Sequence, residues 1–295
     1  MDIVLGVSMA PDTVRMVLVE GEAAGGVTVD QEGFNVTGGA TAVAAADQVI
    51  AAILGTRENA AAGGYQLKSS GVTWTDPAEA AALRDALAAH KIESVMLVSA
   101  FMAAAALAQA VGSATNCART ALLFVEPTTA TLAVVDTSDG SIADVHRQPL
   151  PSNDDAALAK LAAMVSSAES MKTRPDSVFV VGSDVDIPLI KPTLEAATSL
   201  SVTTPEEPEM ALARGAALAA ANAELGAPRT VAMPYPQDPS TAARGLAYSA
   251  EADRETDPAM GAHRELGVDP GERRSRKFVL VVVGATMIFV GGVVA

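Results

Sequence analysis

VFVVGSDVDIPLIKPTLEAA (residues 178–197) and PEEPEMALARGAALAAA (residues 205–221) are the stretches of this sequence that decide its fold. The apolar run at residues 177–181 predicts a buried strand that ends at Gly182. Residues 189–197 predict a short helix, and residues 208–225 predict a long helix with Gly215 in its middle. Because aromatic residues make up only 3% of the chain and small apolar residues are frequent, we expect helices to pack closely on a sheet.

The rest of residues 2–225 shows the same order of predicted secondary-structure elements twice. Alternating apolar residues predict a first hairpin, IVLGVS and VRMVLVE around a turn at residues 9–13, and a second from residues 121–126 and 132–135. Each hairpin is followed by helix, apolar strand and helix, which predicts an internal duplication without sequence identity. The other predicted strands cover residues 27–36, 65–74 and 94–98, and the other predicted helices cover residues 42–57, 77–90, 101–111 and 156–170.

Capping residues predict where two of these helices begin. Asp76 is a plausible N-cap with Pro77 at the first helical position, where a missing N–H costs nothing. Asp154 and Asp155 are predicted to cap the helix that follows them.

The two opening stretches resemble the actin-like ATPase superfamily, most of all the nucleotide-binding domain of the seventy-kilodalton heat-shock chaperones. In that family a strand ends in Gly-Gly-Ser-x-x-Ile-Pro, whose backbone lies against adenosine, and a Pro-x-Glu-Ala-x-Ala-x-Gly-Ala-Ala helix closes the second half. The matching residues are Gly182, Ser183, Ile187 and Pro188 for the first pattern, and Pro208, Glu209, Ala211, Ala213, Gly215, Ala216 and Ala217 for the second. The opening MDIVLGVSMAPDTVRMVLVEGE also looks like uncharacterised mycobacterial membrane proteins with such a domain. The resemblance implies an α/β, actin-like (ribonuclease H-like), duplicated two-lobed fold.

Three motifs that the family uses for ATP hydrolysis are altered. Its first hairpin, Gly-x-Asp-x-Gly-Thr-Thr, corresponds here to residues 6–12, with Ser8 for the carboxylate, Ala10 for the tight glycine, and Pro11 removing a backbone donor. Its second hairpin, Asp-x-Gly-Gly-Gly-Thr, corresponds to residues 125–130, which contain Pro127 and no glycine. The glutamate at the start of the family's intervening helix is also lost, in residues 100–105. We therefore expect a pseudo-ATPase, with Glu126 or Asp12 as candidates for a displaced catalytic carboxylate.

A vestigial nucleotide cleft is the site that the resemblance implies. Its predicted cofactor-binding residues are Gly6, Ser8, Gly182, Ser183 and Gly215. We expect no bound cofactor, and ATP or ADP is the alternative. We expect no catalytic residues and no metal ligands. Asp184 and Asp186 could bind a cation, although two solvated turn carboxylates are the simpler interpretation. The chain has neither a Walker-type nor a Gly-x-Ser-x-Gly motif, and its three histidines lack ligand spacing.

Charge and cysteine content limit the partners. The formal net charge of -15 comes entirely from residues 1–228, which carry 12 Lys and Arg against 27 Asp and Glu. So acidic a domain is repelled by phosphate backbones, which argues against nucleic-acid binding. The single cysteine, Cys117, excludes an intrachain disulfide and is typical of a reducing compartment.

The last part of the sequence predicts membrane attachment. Residues 226–277 are rich in Pro, Ala, Gly and Ser and predict a flexible linker after a folded domain at residues 1–225. Residues 278–295 are FVLVVVGATMIFVGGVVA, which at about 1.5 Å per residue spans roughly 27 Å, enough for one transmembrane helix. The basic residues at 273–277 place the acidic domain on the cytoplasmic side of the cell (inner) membrane. The span is expected either to be a tail anchor or to lead into an extracytoplasmic region.

These observations together predict a membrane-anchored, noncatalytic actin-like domain that acts as a scaffold or signalling module for cytoplasmic or membrane proteins. The alternative is a divergent chaperone-like protein that binds or hydrolyses ATP. A peptide-binding chaperone would need a further module that these residues do not supply.

Overall fold

A computed structural model describes residues 1–10, 12–36 and 41–222, which contain ten strands and six helices in two repeats of the same order. The first repeat comprises β1 (Asp2–Met9), β2 (Thr13–Glu20), β3 (Thr28–Asn35), α1 (Ala42–Ala62), β4 (Gln66–Trp74), α2 (Pro77–Ala89), β5 (Val95–Ser99) and α3 (Ala100–Ala114). The second comprises β6 (Arg119–Val125), β7 (Thr129–Asp136), β8 (Ile142–Pro149), α4 (Asp154–Ala168), β9 (Ser177–Gly182), α5 (Ile187–Ala196), β10 (Ser201–Thr203) and α6 (Ala211–Ala221).

The strand order confirms the predicted duplication. One sheet has the order β3-β2-β1-β4-β5, and the other has the order β8-β7-β6-β9-β10, so equivalent strands occupy equivalent places. In both sheets the first three strands pair antiparallel, and the last two join the first strand in parallel. The chain therefore forms an α/β structure with two similar lobes.

Helices α3 and α6 lie between the two sheets and form the centre of the molecule. Phe101 of α3 and Phe124 of β6 are fully buried there, with their ring centroids 6.1 Å apart and their planes at 74°. Separate apolar clusters cover the outer faces, with α1 and α2 against the first sheet and α4 and α5 against the second. This layering leaves the tips of the β1–β2 and β6–β7 hairpins near the boundary between the lobes.

Glycines let α6 approach the first sheet unusually closely. Gly6 of β1 and Gly71 of β4 are neighbours in the parallel register, so they form a flat patch without side chains. A Cβ added at Gly6 would lie 1.9 Å from the Ala213 carbonyl oxygen, and one at Gly71 would lie 2.1 Å from that of Ala216. Gly215 makes the same approach to α3, since its Cβ would lie 2.2 Å from the Ala103 carbonyl oxygen. The backbone of α6 thus packs directly on backbone of both neighbours.

The predicted start of α2 is confirmed. Asp76 accepts a hydrogen bond from the backbone N–H of Ala78 at 2.9 Å, Pro77 occupies the first turn, and Glu79 completes a capping box. The prediction for α4 was wrong by one residue. Asn153 is its N-cap and accepts from the N–H of Ala156 at 2.9 Å, while Asp154 and Asp155 lie in the first turn beside the positive end of the helix dipole.

Two strands were missed, and several boundaries differ from the sequence predictions. Strands β8 and β10 were missed because β8 is mostly polar and half exposed and β10 has only three residues. Helix α1 continues past residue 57 to Ala62. Helix α6 begins at Ala211 with Met210 as N-cap, because Pro208 belongs to the preceding turn.

The predicted linker and transmembrane segment lie outside the described residues, and so does Pro11. Among the helices that the structure describes, none is both long and apolar enough to cross a bilayer. The predicted domain boundaries at residues 225 and 277 stay predictions.

Candidate functional site

The two hairpin turns that the family resemblance implies as phosphate loops are built alike. In the β1–β2 hairpin, the N–H of Ala10 donates to the carbonyl of Thr13 at 2.8 Å. In the β6–β7 hairpin, the N–H of Glu126 donates to the carbonyl of Thr129 at the same distance. In each hairpin the first backbone donor of the turn is therefore used to close the turn and does not point at a ligand.

The loop after β9 lies next to these hairpins. The N–H of Ser183 donates to the carbonyl of Val125 at 2.9 Å, which holds this loop against the end of β6. Gly182 has little room for a side chain, because a Cβ there would lie 2.8 Å from the side chain of Ile187. Asp184 follows with a φ of 55°, a left-handed conformation that Asp and Asn tolerate better than most residues.

A pocket of about 390 Å³ lies between the β1–β2 hairpin, the loop after β9 and the segment that enters α6. Three of the predicted site residues, Ser8, Gly182 and Ser183, line it. Gly6 and Gly215 do not line it, and the structure places both of them in the close backbone packing around α6. The structure thus brings together three of the five residues in one candidate site.

Arg15 and Glu209 are pocket residues that the sequence reasoning did not select. Arg15 pairs with Ser8 across the β1–β2 hairpin, so it stands on the same wall of the pocket. The predicted β1–β2 hairpin indicated that Arg15 lies close to Ser8 on the neighbouring strand. No local pattern in the sequence indicated that Glu209 lies at this pocket, because its position depends on how the second repeat packs against the first.

The pocket is rich in carboxylates. Asp184, Asp186 and Glu209 line it together with a single cationic group, the guanidinium of Arg15. Loss of hydration raises the pKa of the Asp184 carboxyl, the nearby Asp12 raises it further, and Arg15 opposes this shift.

The carboxylates of Asp184 and Asp186 follow β9 at the pocket. Within residues 1–10, 12–36 and 41–222, His, Cys, Asp and Glu side chains form no group of three or more that could hold a metal ion. The role of this pair stays a prediction.

Glu126, one of the two candidates for a displaced catalytic carboxylate, has a role within its own hairpin. It accepts a hydrogen bond from Thr129 Oγ1 at 2.8 Å and another from Arg147 Nη2 at 3.1 Å. It does not line the pocket. Ala100, at the place of the family's glutamate, is fully buried at the start of α3.

A second and larger cleft, of about 850 Å³, lies between β3, α3 and the segment that leads from β10 to α6. None of the predicted site residues lines it. Its arginine, Arg214, donates to Thr28 Oγ1 at 2.9 Å and to the Gly26 carbonyl at 3.1 Å, so this guanidinium holds the β2–β3 connection. We therefore treat the smaller pocket as the candidate site.

Comparisons with known proteins agree with this fold. The model of a family of unknown function (DUF7159) matches residues 2–231. A search of the curated proteins found no match. Among solved structures, the chain is similar to an inorganic polyphosphate/ATP-glucomannokinase from Arthrobacter sp. strain KM, with 15% identity, a TM-score of 0.53, and coverage of 75% of this chain and 99% of that one.

A ROK hexokinase from Thermus thermophilus is similar as well, with 13% identity, a TM-score of 0.50, and coverage of 73% of this chain and 97% of that one. At such low identity the likeness establishes the fold alone. That fold is the actin-like ATPase fold that the sequence resemblance implied. Neither structure is a heat-shock chaperone, so they give no support to the closer resemblance to the chaperone domain.

Proposed function

This chain belongs to the family of unknown function DUF7159, and we propose that its actin-like domain is noncatalytic and acts as a scaffold or signalling module at the inner face of a membrane. Its partners are cytoplasmic or membrane proteins, and nucleic acid is not among them. In this proposal the domain retains the actin-like fold as a rigid framework for protein contacts.

The backbone hydrogen bonds in the two hairpin turns are the main support for this proposal. Catalysis of phosphoryl transfer in this fold needs backbone N–H groups that approach the phosphates, and glycine permits that approach. Here the N–H groups of Ala10 and Glu126 are used inside their own turns, and Pro127 has no N–H to offer. A phosphate group at either hairpin would meet few donors.

The charge of the candidate pocket supports the same conclusion. Three carboxylates and one guanidinium line it, and Asp12 stands close to Asp184. A triphosphate would meet net repulsion here unless cations neutralised it. We infer that the ancestral nucleotide cleft has become a surface for other contacts.

Membrane attachment is proposed from the sequence of residues 273–295. A basic cluster followed by 18 uncharged residues fits one membrane span with the acidic domain in the cytoplasm. The roughly fifty-residue linker lets the domain reach about 35 to 40 Å from the bilayer if it behaves as a flexible coil. A tethered domain can therefore recruit partners without chemistry of its own.

The alternative, a divergent ATP-binding or ATP-hydrolysing protein, is favoured only by the fold that the chain shares with the glucomannokinase and the hexokinase. Fold alone does not carry activity, because the chemistry resides in site residues. Arg15 is the residue on which nucleotide binding in the pocket would depend most.

Photo-crosslinking in cells tests the scaffold proposal. A photoreactive amino acid is introduced into the full chain in place of Pro188, which is exposed at the pocket, and in a second variant in place of Glu58, which is exposed on α1 away from it. The proposal predicts the same crosslinked protein in repeated experiments at position 188, and none at position 58. A chain without residues 278–295 should lose any partner that resides in the membrane. Failure to obtain a reproducible partner at position 188 would contradict the proposal.

A further inference from the structure

Two serines of the candidate pocket have side-chain hydroxyls without a protein partner. Ser8 and Ser183 are only 8% and 6% exposed as residues, and both line the pocket. In the part of the chain that the structure describes, neither side-chain oxygen takes part in a hydrogen bond, and neither is fully buried. These hydroxyls are therefore open to the pocket and can form hydrogen bonds with an occupant.

The direction of Ser8 follows from its strand. Val7 and Met9 of β1 belong to the outer apolar cluster of the first lobe, and successive side chains of a strand point to opposite faces. Ser8 therefore points inward, on the same face as Gly6, which touches the backbone of α6. Leu212 of α6 also lines the pocket and gives this floor an apolar side.

The charged side chains that line the pocket indicate which kind of ligand it can bind. Asp184, Asp186 and Glu209 line the pocket and give its wall a negative charge. Carboxylates form strong, charge-assisted hydrogen bonds with cationic donors, so they favour a ligand that carries a guanidinium or an ammonium group. A volume of about 390 Å³ holds one long side chain with some of its flanking backbone.

We propose that this pocket binds an arginine or lysine side chain from a basic segment of a partner protein. The carboxylates attract the cation, the hydroxyls of Ser8 and Ser183 accept hydrogen bonds from it, and Leu212 and Ile187 contact its aliphatic stem. The inference rests on the proposed scaffold function and names the chemistry of its partner. Arg15 limits the affinity, because its guanidinium repels an incoming cation.

Arg15 makes the inference testable, because a cationic and an anionic ligand respond to it in opposite ways. The probe is the capped tripeptide glycine-arginine-glycine, titrated into the full chain by calorimetry at low ionic strength. Its counterpart with neutral citrulline in place of arginine serves as the ligand control.

The proposal predicts saturable binding of the arginine peptide that the citrulline peptide lacks. Asp184→Asn should weaken binding about threefold, the effect of one partly exposed ion pair, and Arg15→Gln should strengthen it by a similar factor. Asp47→Asn, an exposed position on α1, should change nothing. Asn tolerates the left-handed backbone at position 184, so the variant should fold, and a thermal unfolding curve confirms this.

Three results would overturn the inference. Equal binding of both peptides, or no binding of either, excludes a cation site. Binding of inorganic pyrophosphate that weakens in Arg15→Gln identifies a phosphate site instead. If the peptide fails to bind while the crosslink at position 188 persists, the scaffold function stands and only the chemistry of its partner is wrong.

Discussion

Single glycines determine how closely α6 packs against its neighbours, as Gly6, Gly71 and Gly215 show. Each lacks a side chain where backbone of a neighbouring element comes within van der Waals distance. Their joint effect is to seat α6 directly on β1, β4 and α3. In the resemblance to chaperone domains Gly6 and Gly215 were predicted to contact a nucleotide, but the structure gives both of them a packing role.

Replacement of Gly6 by alanine should destabilise the fold strongly. The added methyl would overlap the Ala213 carbonyl oxygen, and neither backbone can move without disturbing the sheet. We expect a loss of about 3 kcal/mol, at the upper end of overpacking costs. Gly55→Ala is the matched control, because a Cβ at Gly55 meets nothing within 4 Å and lies inside α1. It should raise stability by about 1 kcal/mol, the difference in helix propensity. Equal effects in urea unfolding would contradict the packing role of Gly6.

Asp184 should make stability depend on pH in a defined direction. Its pKa in the folded protein is raised by burial and by Asp12, so the folded state holds the proton more tightly than the unfolded state. The charged carboxylate therefore lowers stability above the raised pKa, and this penalty disappears below the ordinary value of 3.8. Asp184→Asn should be more stable than the unchanged protein at neutral pH and equally stable near pH 3. Thermal unfolding across this range checks the prediction, and a constant difference at every pH would contradict it.

At the scale of elements, Arg214 links the two repeats. From α6 it donates to Thr28 Oγ1 and to the Gly26 carbonyl in the β2–β3 connection, so one side chain holds a loop of the other lobe. Arg214→Met keeps the aliphatic stem and removes both hydrogen bonds. We expect a loss of about 2 kcal/mol, as for hydrogen bonds made by a charged group.

Hydrogen exchange locates this effect. Amides of residues 26–30 should exchange faster in Arg214→Met, while those of β6 and β9 keep most of their protection. Arg84→Met is the control, because Arg84 pairs only with its neighbour Asp85 on the surface of α2. Faster exchange in both variants alike would show that Arg214 does not act locally.

Elements with a clear local pattern were predictable from the sequence, whereas the mostly polar strand β8 and the three-residue strand β10 were not. The β1–β2 hairpin and α2 carry their alternation, turn and capping residues within a few positions. Strand β8 alternates poorly because its side chains Asp144, His146 and Arg147 face solvent or half-buried positions at the edge of the sheet. The N-cap of α4 was misplaced because three candidate residues follow one another, and only the structure shows that Asn153 accepts the bond.

For the whole molecule, the duplication could be predicted because each repeat carries its own pattern of hairpin, helix, strand and helix. The actin-like fold was implied by the resemblance of residues 178–197 and 205–221 to the motifs of that family. The site could be predicted only in part. Ser8, Gly182 and Ser183 meet at the pocket, as the family motifs implied. The position of Glu209 opposite Arg15 depends on packing between repeats, which no local pattern encodes.

The central claim is that this actin-like domain works without nucleotide, and a titration of the full chain with ATP and Mg²⁺ tests it most directly. Thermal unfolding is followed as the nucleotide rises to millimolar concentration, with Arg15→Gln measured in parallel. A ligand that binds only the folded state stabilises it in proportion to the logarithm of its concentration. We predict no saturable shift in either protein. A saturable shift that Arg15→Gln abolishes would show that the pocket still binds nucleotide, and it would contradict the account.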